Sequence, residues 1–147
     1  TGSSAFHQFD VADRAALEEV FEQYDFEAVI HFAGFKAVGE SVKEPLKYYR
    51  NNLDTTLTLL ETMAYHHVNT IVFSSSATVY GVPETVPLTE DMPTGCTNPY
   101  GWTKYMIEQM GADGVEVAQQ HHRPVGIRMG NAGEDLLGHV LGPAVGA

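Results

Sequence analysis

Tyr100 and Lys104 stand four residues apart in the run Tyr100-Gly-Trp-Thr-Lys104, directly after Pro99. In a helix that spacing puts both side chains on one face, one turn apart. A nearby ammonium favours phenolate over phenol, so the lysine lowers the tyrosine's pKa from its ordinary value of about 10. A tyrosine general base working near neutral pH needs that tuning. The pair alone also occurs in many helices that do no chemistry, so its context decides.

Two further runs supply context. Ser74-Ser-Ser-Ala-Thr-Val-Tyr-Gly81 closes an apolar stretch, at the carboxyl end of an expected strand. That edge is where ligands bind in open α/β sheets, and a hydroxyl there can bond a reacting oxygen. Its plain reading is a polar strand-to-loop transition. Phe32-Ala-Gly-Phe-Lys-Ala-Val-Gly-Glu-Ser41 also follows an apolar run. Gly34 would let a cofactor approach the backbone, and Lys36 would neutralise a phosphate. Read plainly, it is a strand ending in a glycine turn.

The elements that must position these residues alternate between strand and helix, the pattern of a parallel sheet flanked by helices. Phe6 to Phe9 is a short candidate strand. Asp10 or Asp13 can cap a helix reaching about Tyr24, with Ala16, Leu17, Val20 and Phe21 on one face. Ala28 to Ala33 and Asn69 to Ser74 read as buried strands. A helix should start near Pro45, with Leu46, Tyr49, Leu53, Leu57, Leu60 and Ala64 recurring along one amphipathic face. Gly81 to Pro99 reads as a loop. A helix should follow from Tyr100 toward Gln120, weakened around Gly111 and Gly114, and then a strand from Pro124 to Arg128. Beyond it, only a short helix around Leu136 to Leu141 is expected.

The chain's 147 residues and 44% hydrophobic content suit one globular domain. Nineteen acidic residues against eight Lys and Arg give a net charge of −11. That balance argues against nucleic acid or an anionic membrane as the main partner. A small anionic ligand held by local lysines and helix ends stays open. Cys96 is the single cysteine, so no intrachain disulfide forms. With no leader-like start and no run of spanning length, a cytoplasmic location is expected. The pairs His66-His67 and His121-His122 point to different helix faces, so no metal site is expected. His31 reads as a core residue.

Taken together, the three runs resemble the nucleotide-sugar epimerases of the extended short-chain dehydrogenase/reductase family, those acting at carbon 4 of UDP-glucose. The blocks Phe32–Ser41, Ser74–Gly81 and Asn98–Lys104 match in order and spacing, and the resemblance runs from about Phe6 to Gln109. It implies a Rossmann-like, doubly wound parallel sheet with NAD as a retained cofactor. Tyr100 would be the base at the sugar 4-hydroxyl, Lys104 its pKa partner and a ribose contact, and Ser76 a hydrogen-bond donor to the same oxygen. Cofactor contacts would come from Asp10, Val11, Phe32, Ala33, Gly34, Phe35, Lys36, Asn51, Ser74, Tyr100 and Lys104. Substrate contacts would come from Ser76, Tyr100 and Asn131. UDP-glucose and UDP-galactose are the implied substrates, and a homodimer through helices near Leu53 to Ala64 and Tyr100 to Gln109 is implied as a partner state.

The sequence departs from that family in two places. The glycine-rich turn that holds the pyrophosphate is absent, so the sheet is expected to be partial, without the first βαβ unit. The run Ile127-Arg-Met-Gly-Asn131 differs from the usual pattern, with Met129 and Gly130 where two aromatics are common. Residues 1–128 are expected to form the partial cofactor domain. Residues 129–147 are expected to be a tail where a substrate lobe would begin. On this reading the chain alone binds NAD weakly and turns over little UDP-galactose. Two alternatives stay open: another enzyme of the same family, such as a dehydratase or oxidoreductase, and an inactive fragment. A dehydratase generally needs an acidic pair beside the serine position, where this chain has Ala77 and Thr78.

Overall fold

A computed structural model describes residues 4–120 and 126–127. Its first helix, α1 (Arg14–Gln23), starts where the Asp13 carboxylate accepts from the Ala16 amide at 3.3 Å. That cap satisfies a backbone donor that the first turn leaves open. Leu17 and Phe21, one turn apart, bury the inner face. They join Leu59, Met63, Val68 and Ile71 in one apolar core.

The sheet has three parallel strands in the order β1 (Val29–His31), β2 (Thr70–Phe73) and β3 (Gly126–Ile127). Val29 pairs with Ile71, His31 with Phe73, and Thr70 with Gly126. Parallel neighbours require long crossovers, and the helices between the strands supply them. The expected strands are present but shorter than their apolar runs. Phe6 to Phe9, by contrast, is not a strand. A strand needs a partner for its backbone groups; none of the described strands lies beside this segment, and Phe6 is 87% exposed.

Between β1 and β2 the chain makes α2 (Val38–Lys43), α3 (Pro45–Tyr49), a π-helical turn (Arg50–Asp54) and α4 (Thr55–Tyr65). Pro45 opens α3 as expected, since the first helical position needs no amide donor. The expected leucine face is inward only in part: Leu60 packs against the core, and Tyr49 and Leu53 are half-buried. Leu46 is 77% and Leu57 43% exposed, whereas Tyr48, Asn52, Thr55, Thr56, Leu59, Thr62 and Met63 are buried. The inner stripe is largely polar because its groups find partners. Thr56 Oγ1 donates to the Asn52 carbonyl at 2.8 Å, and Thr62 Oγ1 to that of Thr58 at 2.9 Å.

After β2 comes a 3-10 turn (Ala77–Tyr80) and then the irregular stretch expected before Pro99. This loop returns to the turn: the Gly95 amide donates to the Val79 carbonyl at 2.9 Å. Helix α5 (Pro99–Gln120) runs through Gly111 and Gly114 without a break and packs against α2 and α3. The expected helix around Leu136 to Leu141, Asn131 and the whole expected tail lie outside the described residues.

Candidate active site

Helix α5 presents the tyrosine and lysine. Asn98 starts it, its Oδ1 accepting from the Gly101 amide at 2.8 Å and its carbonyl from the Trp102 amide. One turn along a common face, Tyr100 and Lys104 are both buried. The Lys104 Nζ donates to the Ser74 carbonyl at 2.9 Å and lies 4.5 Å from the Phe73 ring centre. It stands 5.9 Å from the centre of the Tyr100 ring. Burial, which penalises the ammonium, holds the lysine's pKa below its ordinary value. The Ser74 carbonyl carries no net charge, so this contact does not neutralise the cation.

The serine run lies against the same helix. Its first residue continues the sheet, the Ser74 amide donating to the His31 carbonyl at 3.2 Å. Ser75 Oγ donates to the Glu108 carboxylate. Ser76 caps the 3-10 turn, its Oγ accepting from the Thr78 amide at 3.3 Å and the Thr78 hydroxyl at 3.0 Å. Both bonds use its lone pairs and leave its own hydrogen to donate. The turn packs closely on α5: a Cβ at Gly101 would come within 2.9 Å of the Thr78 carbonyl oxygen. Glycine at 101 is what lets the turn that Ser76 caps come this close to the helix that bears Tyr100.

At the end of β1, Phe32, Ala33, Gly34, Phe35 and Lys36 form an exposed turn. Gly34 has φ 144°, in the region L side chains avoid. A Cβ there would also lie 3.1 Å from Asn52 Oδ1. Asn52 clamps this turn, accepting from the Phe35 amide at 2.8 Å and donating to the Phe35 carbonyl at 3.1 Å. It donates as well to Thr103 Oγ1 at 3.0 Å, and that hydroxyl donates to the Tyr100 carbonyl at 2.8 Å. One buried asparagine thus ties the glycine turn to the helix bearing Tyr100. Asn51, which the sequence singled out, sits beside it and donates to Asn52 Oδ1 at 3.0 Å. Sequence reasoning missed Asn52; its one signal was an asparagine at an inner helical position, between Tyr48 and Thr56.

Asp10 makes a local turn, its side chain accepting from the Ala12 amide at 2.9 Å. Val11, Phe32 and Ala33 line an apolar cleft of about 320 Å³ together with Leu17, Phe21 and His31. Tyr100, Ser76 and Lys104 are not part of that lining; they stand on the β2 side. His31 joins the two halves: its carbonyl holds Ser74, and its ring bonds Thr56 Oγ1 at 3.0 Å and stacks on Phe73. Burial, with the Lys104 charge adding to it, lowers the His31 pKa to about 4, so the ring is a neutral core group. Among the described residues, no cluster of three His, Cys, Asp or Glu is placed to hold a metal ion. No described helix is long and apolar enough to cross a membrane.

The chain matches a family model described as GDP-mannose 4,6 dehydratase over residues 1–125. It is 62% identical over 108 residues to the UDP-glucose 4-epimerase of Bacillus subtilis, covering 74% of this chain and 32% of that one. To the Mus musculus UDP-glucose 4-epimerase it is 51% identical over 148 residues, covering 94% and 43%. The chain thus spans well under half the length of these relatives. Among solved structures, UDP-glucose 4-epimerase from Bifidobacterium longum in complex with NAD+ and UDP superposes with a TM-score of 0.73. There the identity is 55%, over 76% of this chain and 33% of that one. The Brucella ovis enzyme in complex with NAD gives 0.74 at 43% identity, over 84% and 36%. The three-stranded parallel sheet with its flanking helices is accordingly part of an epimerase-type Rossmann fold. The chain belongs to the family that the GDP-mannose 4,6 dehydratase model describes, and its relatives and structural neighbours are UDP-glucose 4-epimerases.

Proposed function

We propose that the intact protein interconverts UDP-galactose and UDP-glucose by NAD-dependent 4-epimerisation. One observation carries the reading: Tyr100 and Lys104 share a face of α5, and the serine run is bound to that same face. Tyr100 takes the proton from the sugar 4-hydroxyl. The Lys104 ammonium stabilises the phenolate that forms. Ser76 donates to the same sugar oxygen, its lone pairs being engaged by Thr78. The resulting 4-keto sugar turns over in the site, and Tyr100 returns the proton. NAD, held by the residues named below, would supply the reversible hydride chemistry at C4.

The residues present fit that cofactor. The Phe32–Lys36 turn is exposed, and Gly34 leaves its backbone bare. Lys36 is the cation for a phosphate, Lys104 contacts the nicotinamide ribose, and Ser74 and Asn51 complete the inner end. Asp10 and Val11 take the adenine end, where Val11 already shares a cleft with Phe32 and Ala33. Asn131 is assigned to the substrate. On this reading residues 1–128 are the partial cofactor domain and 129–147 the remnant of its junction to a substrate lobe. A homodimer goes with this reading, formed through the faces near Leu53 to Ala64, where Leu57 is exposed, and Tyr100 to Gln109, with Leu46 of α3 beside them, and so does a cytoplasmic location suited to the free Cys96 thiol.

The test is turnover of UDP-galactose by the intact protein, with a thymidine-linked sugar as competitor. Tyr100→Phe should lower kcat by about 10²- to 10⁴-fold, the usual worth of a positioned acid–base group. Faster conversion of the thymidine-linked sugar, or full activity in Tyr100→Phe, would sink the proposal.

A further inference from the structure

The three serines after β2 have unequal duties. Ser76 faces the sugar oxygen in the reading above, and Ser74 gives its carbonyl to Lys104, which leaves Ser75 to be explained. Its Oγ donates to Glu108, a partly buried contact between residues 33 apart in the chain. Glu108 stands one turn beyond Lys104 and two beyond Tyr100, so all three rise from one stripe of α5. An ionised carboxylate only accepts, which fixes Ser75 as the donor and makes the bond charge-assisted. The Cys96 thiol lies on the same turn. Its pKa is pushed up first by burial and also by Glu108, and its Sγ lies 3.6 Å from the Val79 carbonyl of the same turn.

The segment from Ser74 to Thr78 therefore has three anchors on α5. Ser74 is held by Lys104, Ser75 by Glu108, and the Thr78 carbonyl lies against Gly101. Ser76 falls between the second anchor and the third. We propose that Glu108 is a positioning residue: through Ser75 it sets the direction in which Ser76 presents its hydroxyl beside Tyr100. Its effect on the reaction runs entirely through geometry, to which acid–base sites are sensitive at the scale of an ångström.

The test combines epimerase kinetics with amide hydrogen exchange on the intact protein. Glu108→Ala and Ser75→Ala should each lower kcat about 10- to 100-fold while KM stays within about twofold. The double variant should lose no more than either single one, because both remove one contact. Glu108→Gln, whose amide oxygen still accepts from Ser75, should keep most of the rate. In both alanine variants, exchange should quicken at residues 74–78 and stay unchanged in α1 and α4. The kinetic arm rests on the epimerase reading. An inactive wild type would refute that reading alone, and the exchange arm would still decide the clamp. Unchanged exchange at 74–78, losses that multiply in the double variant, or a wild-type rate in Ser75→Ala would each overturn the proposal. If Glu108→Ala does not fold, Ser75→Ala decides.

Discussion

His31 couples the site to acid in a way that its burial dictates. The ring is 3% exposed, bonded to Thr56 and close enough to Lys104 to feel its charge. Its pKa falls from 6.5 to about 4 on folding. Between those values the unfolded chain takes up a proton that the folded chain refuses. The stabilisation is thus complete above pH 6.5 and is lost as pH falls toward about 4. The loss is at most about 3 kcal/mol, since each tenfold change in proton affinity is worth about 1.4 kcal/mol. Urea unfolding at pH 7 and pH 4.5 should reveal this slope, and His31→Leu should flatten it. An equal slope in both proteins would count against the buried neutral ring.

At the scale of elements, Asn52 is the joint between the glycine turn and α5. Asn52→Leu keeps the volume and removes every bond to Phe35 and Thr103. Leaving those groups unpaired should cost about 2–4 kcal/mol, read as a lower unfolding midpoint. A variant as stable as the wild type would show that water replaces the asparagine. Neither Asn52 nor the Ser75–Glu108 contact was legible in the sequence, because each depends on a partner brought close by the fold. Tyr100 and Lys104 were legible for the opposite reason: their relation is internal to one helix turn. The strands of the two apolar runs were readable too, and Asp13 announced α1. Phe6 to Phe9 was not readable, since strand character requires a neighbour. The stripe from Leu46 to Ala64 was seen as amphipathic, but periodicity does not say which side meets the sheet.

For the molecule as a whole, that stripe leaves the helix running from Pro45 to Tyr65 with two working faces. The inner one, from Tyr48 to Met63, packs on α5 and the core, while Leu46 and Leu57 point outward. These two leucines are the contacts assigned to the proposed dimer. Leu57→Lys should therefore turn the proposed dimer into a monomer in sedimentation analysis, with each copy still folded. A dimer that survives the charge would place the interface elsewhere. The π-helical turn from Arg50 to Asp54 lies midway along this helix and brings Asn52 inward. It acts as a phase setting between two halves of a screw. Deleting a single residue there would turn everything beyond it by about 100°. Thr56 and Leu59 would leave the core together, and the outer leucines would swing with them, so the length of that one turn governs both surfaces at once.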